Sequence, residues 1–257
     1  MIRAAFFDVD GTLFSHTTKR MPPSTRDALE KLRAEGILCV VSTGRMIREM
    51  DKLPMAGISF DAYITMNGQL TLDENRNPLY GMPVTGELKE FVLKLFHERK
   101  LPVIFVEQDR LYLNYSCEKV EAVQAAISSK VPPVAEYEGA TVYQVCVYLT
   151  EEEETLLKPV NGIGEITRWH FGGVDIIAKG GGKRTAIEKY LELYDLKPEE
   201  IIAFGDGEND MGMLQLAGIG IAMGNAEPKV KEIADYVTAD IDDDGLAKAL
   251  KHFGLIE

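Results

Sequence analysis

Phe6–Ser15, FFDVDGTLFS, is the stretch whose reading decides the fold. The apolar run Ala4, Ala5, Phe6, Phe7 predicts a buried strand. The Asp-Gly-Thr step that follows breaks its carboxyl end into a loop. In open α/β sheets the ligand crevice lies outside the carboxyl ends of the strands. If the chain stays extended, Asp8 and Asp10 project to the same side. Crowded carboxylates disfavour one another's ionisation, so they share a cation or split into acid and base. The bland alternative is a pair of aspartates that only caps a turn.

Working outward, Ser24 with Asp27 three residues on predicts a capping box, and Ala28, Leu29 and Leu32 an apolar helix stripe ending at Gly36. Ile37 to Val41 is an all-apolar strand running into Ser42-Thr43-Gly44-Arg45, and Ala62 to Met66 a third ending in Asn67-Gly68. A fully apolar strand between helices belongs in a parallel, doubly covered sheet. The middle differs: Leu88, Phe91, Val92, Leu95 and Phe96 form a helix stripe, followed by hairpins near 103–114 and 165–178. From Lys183 the β-α alternation returns, with a strand at Ile201 to Phe204 ending in Gly205-Asp206. The expected fold is therefore α/β: a doubly wound, Rossmann-like parallel-sheet core over 1–82 and 180–257, with an α+β module over 83–179 inserted into it.

Composition narrows the function classes. Of 257 residues, 46% are hydrophobic, which suffices for a core. A formal net charge of -13 argues against nucleic acid and anionic membrane as partners, and an anionic substrate would need a locally positive pocket. The three cysteines, Cys39, Cys117 and Cys146, are scattered and read as buried thiols of a reducing compartment. A strand begins almost at Met1 and no apolar run approaches membrane-spanning length, so a cytoplasmic protein without a signal peptide is expected.

The strand ends carry the chemistry. The first delivers Asp8 and Asp10, the second Ser42 and Thr43, and a later one Asp206 with Asn209 and Asp210, while Lys183 follows Gly180-Gly181-Gly182. In a parallel sheet these ends share one edge, and hard oxygen donors with a hydroxyl and a lysine suit Mg²⁺ and a phosphate. The glycine run is not a nucleotide-binding P-loop, because Ile177 replaces its first glycine and Arg184 its hydroxyl. It reads as a hinge. Glu151 to Glu154 reads as the solvated start of a short acidic helix, and Asp242 to Asp244 as a solvated turn before the last helix. His16 is close enough to the opening loop to touch substrate, although a surface position is the simpler expectation.

Taken in order, these residues resemble the haloacid dehalogenase superfamily. Asp8-Val9-Asp10-Gly11-Thr12 is similar to its first motif, Ser42-Thr43-Gly44-Arg45 to its second, Lys183 to its third and Gly205–Asp210 to its fourth. Ala222–Ala226 and Ala234–Thr238 resemble the Cof-like subfamily of capped sugar phosphatases, which includes bacterial hexose-phosphate phosphatases. Thr43 and Lys183 lie 140 positions apart, room for the cap this subfamily inserts there. Arg184 departs from the glycine many relatives carry.

The resemblance implies Asp8 as nucleophile through an aspartyl-phosphate, and Asp10 as general acid and base. It implies Mg²⁺ bound by Asp8, the Asp10 carbonyl and Asp206, with Asp210 adjacent. Phosphate or substrate would be held by Ser42 or Thr43 (one through its side chain, the other through its N–H), Lys183 and Asn209. Gly44, Arg45, Asn67 and the cap residues Trp169 and Asp175 are further substrate contacts to consider. The implied partner is a small phosphorylated metabolite, such as a sugar phosphate. A phosphomutase using the same aspartates is the competing enzyme reading, and a phosphorylatable receiver the non-enzymatic one.

Overall fold

The computed structural model describes residues 1–55, 57–127 and 129–257. The chain runs β1 (Ala4–Phe7), α1 (Pro23–Ala34), β2 (Leu38–Ser42), α2 (Ile47–Met50), β3 (Ala62–Thr65), β4 (Leu70–Asp73) and β5 (Pro78–Gly81). It continues through α3 (Gly86–Glu98), β6 (Val103–Glu107), β7 (Leu111–Leu113), α4 (Glu118–Ala126), β8 (Val142–Tyr148), β9 (Gly164–His170) and β10 (Gly173–Ala178). Then follow α5 (Lys183–Tyr194), β11 (Ile201–Gly205), α6 (Met211–Leu216), β12 (Ile219–Ala222), α7 (Pro228–Ile233), β13 (Tyr236–Val237) and α8 (Gly245–His252). Two compact units result, Met1–Tyr80 with Gly182–Glu257, and Gly81–Gly181.

The first unit is an eight-stranded sheet in the order β13-β12-β11-β1-β2-β3-β4-β5. From β13 to β3 every neighbouring pair is parallel, and β4 turns back antiparallel on β3. After β1 the chain builds outward through β2 and β3, and it returns on the other side of β1 as β11 and β12. The order therefore reverses between β1 and β11, where a parallel sheet opens a crevice at its carboxyl edge. Alternation sorts the strand residues: Ala4, Phe6, Val40, Ala62, Ile64 and Ala203 join one core with Ala186, Ile187, Tyr190 and Leu191 of α5. Residues of the opposite parity, Ala5, Phe7, Cys39, Val41, Ile202 and Phe204, are buried too. Both faces are covered, as the unbroken apolar runs require, and the α/β doubly wound expectation holds.

The second unit is a five-stranded antiparallel sheet, β7-β6-β8-β10-β9, with Leu88, Val92, Leu95 and Phe96 of α3 packed on one face. Trp169 packs on Gly173, where a Cβ would come within 2.5 Å of its ring, and stands edge-on to Tyr148. Asp175 lies in β10 opposite Cys146 and Thr167, largely buried.

Three local expectations need correcting. Helix α1 starts one residue earlier, at Pro23, without a side-chain cap, because proline presets the first turn and needs no N–H there. Ser24 Oγ donates instead to Asp244, 2.5 Å away. The run after Glu151 is not a regular helix but 3-10 turns over Glu153–Val160, in keeping with Pro159 inside it. Asp242 is no free solvated carboxylate, since it accepts from Ser15 Oγ (2.9 Å) and Thr18 Oγ1 (3.3 Å).

Candidate active site

The core residues singled out in the sequence lie at or just beyond strand ends of the first unit, except Lys183, which opens helix α5. Asp8 continues β1 by one step, its N–H donating to Phe204 O at 3.0 Å. Beyond Val9 the chain turns, and Gly11 takes a φ of +85 that an L side chain rarely adopts. A Cβ there would sit 2.2 Å from Asp206 Oδ2, so only glycine lets the two loops close on each other. Asp8 bonds Lys183, whereas Asp10 bonds Arg45 and His16, yet the two carboxylates stay near enough that the charge of Asp10 helps to raise Asp8.

Lys183 is the first residue of α5, whose Ala186, Ile187, Tyr190 and Leu191 anchor it in the core. Its ammonium is fully buried and donates to Asp8 Oδ1 at 2.5 Å and Asp210 Oδ1 at 2.6 Å. The other Asp210 oxygen accepts the N–H groups of Asp206 and Gly207, both at 3.0 Å. Gly205 is required for this loop, because a Cβ there would lie 2.5 Å from the Asp210 Cβ. Asp206 accepts from Thr12 Oγ1 at 3.1 Å, and Asn225 Nδ2 reaches both its Oδ2 (3.4 Å) and Gly11 O (2.8 Å).

Asp8, Asp206 and Asp210 each present an oxygen within 4.8 Å of the others. Among the described residues Lys183 is the cation bonded to this group, so with all three carboxylates ionised two negative charges exceed the one ammonium. Burial, then the neighbouring Asp210, pushes Asp8 well above the usual carboxylate range. The same two causes push Asp206 up to about 7. For Lys183 burial works against the charge, but Asp210 and Asp8 outweigh it and hold the ammonium above its ordinary value. Hard oxygen donors with a double negative excess fit a small divalent cation. Asp210 has one oxygen on Lys183 and the other on two backbone N–H groups, and Asp8 also has one oxygen on Lys183.

Asp10 bonds different partners from the cluster. Arg45 grips it with both nitrogens, Nε to Oδ2 at 2.6 Å and Nη2 to Oδ1 at 2.7 Å, and His16 Nε2 lies 3.0 Å from Oδ1. Burial opposes its charge, yet the hydrogen bonds and charges of Arg45 and His16 prevail and hold the carboxyl well below the usual range.

The second strand end is knitted to the third. Met66 N–H donates to Arg45 O and Asn67 N–H to Thr43 O, both at 3.0 Å, although Met66 and Asn67 have φ of 52 and 53. Left-handed backbone at consecutive non-glycine residues persists only where the surroundings fix it. Gly44 lies against the Asn67 amide, where a Cβ would fall 3.1 Å from Oδ1, and Asn209 Nδ2 donates to that oxygen at 2.9 Å. Thr43 gives its N–H to Ile64 O and accepts Arg45 N–H on Oγ1, so its N–H is not available to a ligand. Ser42 shares the Asp8 face of the sheet, because Val41 pairs beside Phe7. Its hydroxyl is wholly buried and has no hydrogen-bond partner among the described residues.

Residues 5–250 match the model of the haloacid dehalogenase-like hydrolase family. The chain belongs to that family. It is 32% identical over 256 residues to YkrA of Bacillus subtilis (strain 168), named as an inferred phosphatase, with 98% of both chains covered. It is 28% identical over 249 residues to the HMP-PP phosphatase of Yersinia pseudotuberculosis serotype O:1b (strain IP 31758), covering 90% of this chain and 87% of the relative. Among solved structures, BT1666 from Bacteroides thetaiotaomicron, described among phosphatases of this superfamily, aligns with TM-score 0.89 and 35% identity over 100% of this chain and 96% of its own. The HAD subclass IIB sugar phosphatase BT4131 aligns with TM-score 0.86 and 38% identity over 99% of this chain and 100% of its own.

Sequence reasoning missed two participants and one contact of a third. Asn225 was visible only as part of a family-like segment, although its amide ties the Gly11 loop to Asp206. Thr12 lay inside the first motif without a role. His16 is exposed, as expected, and its Nε2 also reaches Asp10.

Proposed function

We propose that this protein is a Mg²⁺-dependent phosphatase of small phosphate monoesters, hexose phosphates foremost, working through a phosphoryl group carried on Asp8. The observation that carries the reading is the buried cluster of Asp8, Asp206 and Asp210 around Lys183, short of two positive charges at the switch point of the sheet. Asp8 and Asp206, with the Asp10 carbonyl, would hold Mg²⁺, which supplies charge neutralisation for the phosphoryl oxygens. Asp210 fixes Lys183 and the turn at Asp206–Gly207. Lys183 and the Ser42 hydroxyl face the phosphoryl group, with Asn209 and Asn67 beside them.

An oxygen of Asp8 attacks phosphorus, and the bond to the ester oxygen breaks, its electron pair remaining on that oxygen. Asp10 must first take up a proton against the hold of Arg45 and His16; it gives that proton to the leaving oxygen and returns to the carboxylate those two side chains favour. The same carboxylate then takes a proton from water as the water attacks phosphorus, releasing phosphate and restoring Asp8. To the unit Gly81–Gly181 we assign discrimination among esters, an assignment resting on the kinship with a sugar phosphatase.

A phosphate-release screen over hexose phosphates, other metabolite esters and HMP-PP, with and without Mg²⁺, tests the reading. Metal-dependent release from at least one ester, lost in Asp8→Asn with the fold intact, is expected. Undiminished turnover in Asp8→Asn would sink the mechanism. Conversion of a hexose phosphate to its isomer without free phosphate would favour the mutase instead.

A further inference from the structure

We propose that Asn67 is a positioning residue for Asn209: by accepting from Nδ2 it turns the donor end of that amide to the crevice and leaves its second N–H for a phosphoryl oxygen. The proposal rests on the phosphatase reading above and deepens it. The bond runs from Asn209 Nδ2 to Asn67 Oδ1 at 2.9 Å. Asn67 follows β3 and Asn209 follows β11, and the sheet order β11-β1-β2-β3 puts three strand spacings, about 14 Å, between those strands. The two side chains therefore meet across the ends of β1 and β2, which lead to Asp8 and carry Ser42.

An asparagine amide has two orientations of nearly the same shape and opposite chemistry. Nδ2 carries two hydrogens and suits a phosphoryl oxygen, whereas Oδ1 would repel it. Asn209 is held in one sense at both ends: Nδ2 bonds Asn67, and Oδ1 lies against Gly207, where a Cβ would stand 2.8 Å away. Asn67 is itself fixed. It is buried, whereas Asn209 is exposed. Its N–H donates to Thr43 O, its amide rests on Gly44, and its φ of 53 is one that asparagine adopts more readily than most residues. Gly68, the next residue, packs on the start of α5, where a Cβ would come within 2.3 Å of Gly182 O. The acceptor thus stands on the scaffold that carries Lys183, and such support is how sites keep a contacting group in productive geometry.

A role exercised through Asn209 vanishes when Asn209 is removed, and a general structural role does not. kcat/KM on an ester the wild type hydrolyses, and inhibition by inorganic phosphate, should be measured with Mg²⁺ for the full-length wild type, Asn67→Gly, Asn209→Ala and the double variant. Glycine takes the left-handed backbone at position 67 without strain, so thermal unfolding should stay within about 3 °C of wild type. Losing one donor to a charged oxygen costs about 10–100-fold, which is the expected fall in kcat/KM for Asn209→Ala. Asn67→Gly, which frees the amide to turn, should lose roughly 3–30-fold alone and under about twofold in the Asn209→Ala background. Inhibition by phosphate should weaken in the same pattern. Equal losses from Asn67→Gly in both backgrounds, or no loss in either, would overturn the proposal. So would an Asn209→Ala protein with wild-type kcat/KM, whether or not Asn67→Gly folds. A wild type that releases phosphate from no ester refutes the phosphatase reading and this proposal with it, whereas the other outcomes leave that reading standing.

Discussion

Asp206→Asn should make the metal-free protein more stable while removing Mg²⁺ binding. Asp206 has its carboxyl pushed up to about 7 by burial and then by Asp210, against about 3.9 in an unfolded chain. Because the folded value is the higher one, the folded state binds more protons between these limits, and stability falls as pH rises from about 4 to about 7. Above pH 7 the ionised Asp206 costs the metal-free fold its full penalty, at most about 4 kcal/mol for a shift of roughly three units. Asparagine cannot ionise, and its carbonyl oxygen keeps the bond from Thr12; its amide nitrogen opposes Asn225 Nδ2, costing about 1 kcal/mol. A net gain of at most about 3 kcal/mol remains, up to roughly 6–12 °C in Tm for a chain of this size. Thermal unfolding in EDTA at pH 5 and pH 8 measures it, with the Mg²⁺-responsive transition followed in each protein. The variant should melt higher than wild type at pH 8, nearly equal it at pH 5, and show no upward shift on adding Mg²⁺. A variant that is no more stable at pH 8, or that keeps a wild-type response to Mg²⁺, refutes the reading of the cluster as a site short of positive charge.

Two further outcomes follow from particular side chains. Ser42→Ala removes a buried hydroxyl without a partner, so its Tm should be unchanged or higher, while kcat/KM for phosphate release falls by about 10-fold or more; a marked fall in Tm with normal turnover would contradict this. Burial, with the nearby Asp61, pushes the Cys39 thiol up to about 12, so iodoacetamide at pH 8 should spare it in the folded protein and modify it only after unfolding.

The strands and their polar ends were legible because each is contiguous. AAFF followed by DVDGT, and IIAF followed by GDGEND, announce a buried strand breaking into a loop without reference to anything distant. That the ends meet is also legible, since a parallel sheet leaves all carboxyl ends on one edge. Side-chain partnerships between remote segments were not. Asp10 with Arg45 spans 35 positions, Asn67 with Asn209 142, and Asn225 with Gly11 214. No local pattern encodes such pairs, because they depend on how loops from different strand ends turn toward one another. Gly11 shows the limit well. Its residue type announces a turn, but only the folded chain shows that the turn lies against the Asp206 carboxylate, where a side chain would not fit. Asp242 likewise read as solvated, since Ser15 lies 227 positions away.

No helix among the described residues is long and apolar enough to cross a membrane.

The most direct measurement is the site of phosphorylation in the working enzyme. The full-length protein is mixed with a turned-over phosphate ester and Mg²⁺, quenched in acid within the first turnover, and treated with borohydride, which reduces an acyl phosphate to an alcohol. Peptide mass spectrometry should find the reduced residue at position 8 and nowhere else, and Asp8→Asn should show none. Modification at Asp10, Asp206 or Asp210, or steady turnover with no acyl phosphate trapped at any of them, would contradict Asp8 as the nucleophile.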